Sequence, residues 1–164
     1  MKIQQLMTRV VWTSRPMDSL DRAARIMMDH DCGSIVVVDD EGLPIAMLTD
    51  RDVCMAALKT RRSLDALKVA DAMSTRLYAC RAEDPVSSAQ TTMALRLVRR
   101  LPVVDRRGHL VGLLSLDDIA REAARDAPVA PRPSGAEAFA APITAEDAGR
   151  TLGALAKPRI ARRT

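Results

Sequence analysis

The chain is written twice. Shifting its 164 residues by 66 positions lays residues 3–58 on residues 69–124 without a gap. Met7 falls on Met73, Asp18 on Asp84, Met27 on Met93, Gly42 on Gly108, Leu48 on Leu114 and Asp52 on Asp118. Val37, Val38 and Asp39 fall on Val103, Val104 and Asp105, and Trp12, Thr49 and Val53 meet Tyr78, Ser115 and Ile119. Twelve of the 56 aligned positions are identical. An ungapped match of that length rarely arises by chance, so the fold has to be assembled from two like units.

Each unit reads the same way. A lead-in (3–7; 69–73) is followed by an extended stretch (10–13; 77–79) and then a helix. Asp18 and Asp84 are suitable helix caps, and Pro85 suits the first helical position, where its missing N–H costs nothing. Leu20, Ala23, Ala24, Met27 and Met28 recur at helical spacing, as do Val86, Ala89, Met93 and Leu97. A β-rich run follows (35–39; 101–105), then a turn whose Gly42 or Gly108 can take positive φ, then a second strand (45–48; 110–114). That strand runs into a helix starting near Thr49 or Ser115. The expectation is an α/β (α+β) fold of two pseudo-symmetric β-α-β-β-α repeats, 1–62 and 63–126, with a basic linker at 59–63. Residues 127–142 hold four prolines among many alanines, which reads as an extended connector. Residues 144–156 are compatible with a short helix weakened by Gly149 and Gly153, and the basic end completes a tail, 127–164, expected outside the core and mostly unstructured.

Composition narrows the function. At 2% aromatic residues and a formal net charge of +4, the chain lacks the stacking surfaces of a single-strand binder. Cys32, Cys54 and Cys80 are odd in number, without a CxxC spacing, and only His30 and His109 accompany them. A zinc site or disulfide framework is therefore not expected, and free thiols fit a reducing cytoplasm. No apolar run is long enough for a membrane span, and the first residues lack a signal-peptide h-region. No nucleophile–base pair and no Gly-rich phosphate loop is visible, so an enzyme is not expected.

Chemistry concentrates where the second strand of each copy meets its helix, at Thr49-Asp50-Arg51-Asp52 and Ser115-Leu116-Asp117-Asp118. One reading is structural: a hydroxyl followed three residues later by an acid is a capping box. The other is functional. A helix N-terminus offers N–H groups and partial positive charge to phosphate, the hydroxyl adds a donor, and the carboxylate can accept from a ribose diol. The two readings are compatible.

At these residues the sequence resembles a tandem pair of cystathionine-β-synthase-type (CBS) domains, a Bateman module. The resemblance rests on LMT at 6–8, DSLDRAARIM at 18–27, GSIVVVDDEG at 33–42 and AMLTDRDV at 46–53. In the second copy it rests on AMS at 72–74, Asp84-Pro85 and RLPVVDRRGHLVGLLSLDDI at 100–119. It covers residues 1–124. It implies packing of the copies through their strands about a pseudo-two-fold axis. It also implies two clefts for adenosine ligands such as AMP, ADP, ATP or S-adenosylmethionine, bound as regulators rather than as tight cofactors. Carried over by position, cleft one joins Thr49, Arg51 and Asp52 to Thr75, Val98 and Arg99. Cleft two joins Ser115, Asp117 and Asp118 to Arg9, Cys32 and Gly33. Asp52 or Asp118 would hold the ribose, and Thr49 or Ser115 the phosphate.

Two departures bear on these clefts. Ala46 stands where the second copy and the family have Gly, as at Gly112; its methyl would either crowd cleft one or alter strand packing. Asp117 replaces Arg51, and a carboxylate beside phosphate is repulsive by about 1–4 kcal/mol, with Arg9 available to offset it. Cleft one is thus the better phosphate site, with Arg51 and Arg99 as charge partners.

The remaining expectations are ordinary. Trp12 and Tyr78 pack at the pseudo-symmetry axis, His30 sits at a helix end, and Arg100, Arg106 and Arg107 are solvated. The resemblance implies a homodimer through helices bearing Met27, Met28, Met55 and Met93, and a separate effector protein as the regulated partner. A ligand-free scaffold, or a nucleic-acid-associated protein acting through the basic tail, are the alternative functions.

Overall fold

The computed structural model describes residues 1–126. The expected connector, short helix and basic end of the tail lie outside the described residues. In copy one the elements are β1 (Thr13–Ser14), α1 (Leu20–Asp29), β2 (Ser34–Val38), β3 (Pro44–Thr49) and α2 (Asp50–Thr60). In copy two they are β4 (Cys80–Arg81), α3 (Val86–Arg96), β5 (Arg100–Val104), β6 (Leu110–Ser115) and α4 (Leu116–Asp126). Each copy makes a three-stranded sheet in sequence order, with its first strand parallel to the second and the second antiparallel to the third. The hairpins carry a register shift at the same place, between Val37 and Val38 and between Val103 and Val104. Gly42 and Gly108 turn them with φ of 81° and 91°, as the sequence required. No helix among the described residues is long and apolar enough to cross a membrane.

The local details differ from expectation at three points. The extended stretches pair late, at Thr13–Ser14 and Cys80–Arg81, each starting three residues after the expected bound, where the chain reaches β2 and β5. The caps also sit one residue later. Ser19 caps α1, its hydroxyl accepting from Arg22 N–H at 3.2 Å, and Pro85 occupies the cap of α3 rather than its first turn. Asp18 is consumed earlier, accepting from Ser14 Oγ and Arg15 N–H at 2.8 Å each. Burial pushes its carboxyl up, but these bonds and the Arg22 charge outweigh that and hold it below the ordinary range. Finally, α2 extends through Lys59 and Thr60, so the linker begins only at Arg61, which closes the helix at φ 53°.

Two apolar cores form, and each is completed by the other copy. The first gathers Leu20, Ala23, Ile35, Val37 and Leu48, and with them Leu67 and Val69 from the lead-in of copy two. The second gathers Ala89, Met93, Leu101, Val103 and Leu114, together with Ile3 and Met7 from the lead-in of copy one. Backbone bonds fix the exchange symmetrically. Ile3 N–H donates to Asp84 O at 3.0 Å and Val69 N–H to Asp18 O at 2.9 Å; Gln4 N–H donates to Ala82 O and Ala70 N–H to Pro16 O, both at 2.9 Å. Ile3 and Val69 are fully buried, each stabilising by roughly 1.5–3 kcal/mol. Neither copy has its complete core without the other.

Three surface expectations are corrected. Trp12 is 39% exposed and lies flat on His30, with ring centroids 3.4 Å apart and planes at 6°. Tyr78 takes Arg96 over its ring at 5.2 Å. Each aromatic therefore covers a side chain at the end of its own copy's first helix. Of the four methionines, Met27 and Met93 are core residues, and only Met28 and Met55 are exposed.

Candidate functional site

Strand β3 ends and α2 begins at one peptide, and the same holds for β6 and α4. The first N–H groups of each helix lack partners within it, and the Thr/Ser-x-x-Asp spacing answers that locally. Asp52 Oδ2 accepts from Thr49 N–H at 2.9 Å and from Thr49 Oγ1 at 2.7 Å, while Thr49 Oγ1 accepts from Asp52 N–H at 3.2 Å. In copy two Asp118 Oδ2 accepts from Ser115 N–H at 2.8 Å and Ser115 Oγ at 2.6 Å, and Ser115 Oγ accepts from Asp118 N–H at 3.1 Å. The capping box is thus formed twice.

The copies differ in the second carboxylate oxygen. Asp118 Oδ1 is taken by the Arg121 guanidinium, one helical turn on, and the residue is 5% exposed. Position 121 corresponds to Met55 in copy one, which has nothing to donate. Asp52 Oδ1 therefore has no protein partner among the described residues, and Asp52 is half-buried. Arg51, exposed on the first turn of α2, also has no acceptor among the described residues. Copy one offers an open carboxylate oxygen and a spare guanidinium at one helix start, beside a hydroxyl whose proton goes to Asp52 Oδ2. Copy two offers Asp117 in place of that guanidinium and a neutralised, buried Asp118.

The strand starts lie beside these turns. Asp50 N–H donates to Gly33 O at 3.2 Å, and Leu116 N–H to Arg99 O at 2.9 Å. Cys32 with Gly33, and Val98 with Arg99, are therefore held against the helix start of their own copy. A Cβ at Gly33 would lie 3.2 Å from Asp50 Oδ2, so the glycine permits this approach. A link between copies runs through Arg100, which pairs with Ser115 in the β5–β6 register. Burial raises the Cys32 thiol, and the Arg100 charge acts on it in the opposite sense across the copies. Arg100 is half-buried rather than solvated, and its charge acting on Cys32 is a link between the copies that sequence reasoning missed.

The exchanged lead-ins supply the rest. Thr8 and Leu113 donate to each other's carbonyls at 2.9 Å. In copy one Ser74 N–H donates to Met47 O at 2.8 Å, but Met47 N–H donates to Ser74 Oγ at 3.0 Å instead of to a carbonyl. At Gly112 a Cβ would meet Met7 Sδ at 2.5 Å and Thr8 O at 3.0 Å. Ala46 is buried in the first core, so its methyl packs beneath the strand. Thr75 follows Ser74 and is exposed.

A small groove of about 190 Å³ is lined by Gln5, Leu6, Thr8, Asp118, Arg121 and Glu122. Arg9 does not reach it. The antiparallel Thr8–Leu113 bridge directs the chain toward the β5–β6 turn, and Arg9 lines a separate cavity there. Thr8 and Arg121 take the positions beside Asp118; the i, i+3 spacing of Arg121 was the available signal.

The family model described as CBS domain matches residues 3–59 and 69–125. The CBS domain-containing protein YhcV of Bacillus subtilis is 35% identical over 118 residues, covering 72% of this chain and 82% of that protein. The uncharacterized protein MK0525 of Methanopyrus kandleri is 29% identical over 117 residues, and the match spans 71% of this chain but only 60% of that relative. Among solved structures, the CBS domain pair of protein MJ0100, in complex with 5-methylthioadenosine and S-adenosyl-L-methionine, superposes with a TM-score of 0.67. Its identity is 20%, covering 74% of this chain and 94% of that one. CBSX2 in complex with AMP gives a TM-score of 0.66 at 23% identity, covering 76% and 96%. At these identities the structural likeness shows the fold.

Proposed function

This chain belongs to the CBS domain family, with two copies of the domain in one polypeptide, and from that premise we propose that it is a regulatory module binding an adenosine nucleotide between the copies. It is a sensor rather than an enzyme. The site is the copy-one turn, where Asp52 accepts from the ribose diol, the Thr49 hydroxyl turns from Asp52 Oδ2 to donate toward the phosphate side and Arg51 neutralises phosphate. Thr75, Val98 and Arg99 complete cleft one. The observation that carries this reading is the open Asp52 Oδ1 at a helix N-terminus beside an unpaired Arg51. That solved CBS pairs hold AMP, 5-methylthioadenosine and S-adenosyl-L-methionine supports it. Cleft two, with Ser115, Asp117, Asp118, Cys32 and Gly33, is the weaker site because Arg121 already occupies Asp118.

Ligand binding would tighten the copies on each other and be read by a partner protein. A homodimer through α1 and α2 fits the exposed Met28, Met55 and Leu58 on those helices.

The test is isothermal titration with AMP, ADP, ATP and S-adenosylmethionine against wild type, Asp52→Asn and Asp118→Asn. We expect one site, weakened about tenfold or more in Asp52→Asn by loss of a charge-assisted acceptor, and little changed in Asp118→Asn. A folded wild-type protein that binds none of the four would leave the scaffold reading in its place.

A further inference from the structure

The duplication provides an internal control for a second site. Outside the clefts, at the turn end of sheet two, lies a cavity of about 760 Å³, within the range of small-molecule sites. The lead-in of copy one, the β4–α3 loop and the β5–β6 turn enclose it. Its counterpart in copy one, shifted by 66 residues, is lined by Arg15, Asp18, Asp39 and Asp40 and measures about 350 Å³.

The two cavities have diverged in charge. In copy one the turn reads Asp39-Asp40-Glu41-Gly42, and the single guanidinium, Arg15, is paired with Asp40 at 3.4 Å. In copy two the turn reads Asp105-Arg106-Arg107-Gly108, and Arg9 and Arg81 join Arg106 and Arg107 around the cavity. Its carboxylates are already engaged. Glu83 forms a two-pronged pair with Arg106 at 3.0 and 2.9 Å. Asp105 Oδ1 accepts from Arg107 N–H and His109 N–H at 2.8 and 2.9 Å, and Asp84 accepts from Arg81 N–H at 3.2 Å.

Three guanidiniums, those of Arg9, Arg81 and Arg107, are left without a hydrogen-bonded or ion-paired acceptor among the described residues; Arg81 contributes only its field to Glu83. The lining holds four guanidiniums against the three carboxylates of Glu83, Asp84 and Asp105, and an anion shared between the unpaired guanidiniums relieves their mutual repulsion. The guanidinium fork matches phosphate oxygens in pairs. We propose that this cavity is a second ligand site, taking a phosphorylated small molecule with two or more negative charges, and that copy one lost or never acquired it. The site is independent of the adenosine clefts.

Tripolyphosphate is the probe, since it carries the charge without a nucleoside. The decisive variant is Arg107→Glu, which installs the copy-one residue in the same turn; Glu41 shows that the turn tolerates it. Arg81→Ala is the second variant. Titration of the full chain should show saturable binding in wild type, weakened about tenfold or more by either substitution, while the AMP response and the melting temperature of Arg107→Glu stay at wild-type values. No saturable binding at low ionic strength, or equal affinity in wild type and Arg107→Glu, would overturn the proposal. So would wild-type self-association that Arg107→Glu abolishes without phosphate, which would give the cavity to the acidic turn of a second copy.

Discussion

Placing alanine at Gly112 tests the exchanged lead-in, the feature on which the whole assembly turns. The added Cβ would stand 2.5 Å from Met7 Sδ, 3.0 Å from Met7 Cγ and 3.0 Å from Thr8 O. The sulfur can move, but the Thr8 carbonyl cannot without stretching its reciprocal bonds to Leu113. Overpacking of this kind costs about 1–3 kcal/mol, and weakening the two bonds adds about 1 kcal/mol. The sum, about 2–4 kcal/mol, corresponds to a fall of roughly 5–15 °C in Tm for a chain of this size. Urea unfolding followed by circular dichroism reads it directly. The mechanism is tested by Met7→Ala, which on its own opens a cavity in the second core. In the double variant the new methyl and the lost side chain compensate, so the combined loss should fall short of the sum by about 1 kcal/mol or more. Ala46→Gly, the same exchange reversed in copy one, should cost about 1–2 kcal/mol through its lost methyl and freer backbone, with no coupling to Met7. Strict additivity of Gly112→Ala and Met7→Ala would refute the argument.

Three further outcomes are expected. Leu97 closes α3 at φ 53° and is 92% exposed, so Leu97→Gly should relieve left-handed strain and raise stability by about 0.5–1 kcal/mol in thermal unfolding; a loss would show that Leu97 is held by packing. Burial raises the Cys80 thiol to about 12, so at pH 8 only ~1 in 10,000 is thiolate. A thiol reagent should therefore modify exposed Cys54 promptly and Cys80 only on unfolding, and equal rates would contradict the burial. Because the folded-state value of Asp18 lies below its ordinary 3.8, its contribution is complete above that value and disappears as pH falls through the folded one. Asp18→Asn should accordingly cost about 1–3 kcal/mol at pH 7 and progressively less in acid; a deficit that does not change with pH would sink this account.

The duplication made much of the fold legible. Hydrophobic spacing announced α1 through α4, and the positive-φ glycines announced both hairpin turns. The Thr49/Asp52 and Ser115/Asp118 pairs were also visible, since a hydroxyl and an acid three residues apart find each other within one helical turn. The caps of α1 and α3 were misread because Asp18 and Asp84 had competing donors in the preceding turn, Arg15 and Arg81 N–H. Arg100 reads as solvated in the sequence because a strand's periodicity does not say which other strand it will face.

What the sequence alone determined is whatever depends on neighbours within a few residues: element type, turn chemistry, the capping boxes and the equivalence of the copies. What tertiary structure decided is which donor reaches which acceptor when several compete in space. It sent residues 3–8 to the core of the second copy and 69–74 to that of the first. It put Arg9 into a cavity with Arg81 and Arg107. It also left Asp52 open while Arg121 took Asp118. Burial and hydrogen-bond competition are properties of the packed whole, so two nearly identical motifs emerged with different chemistry.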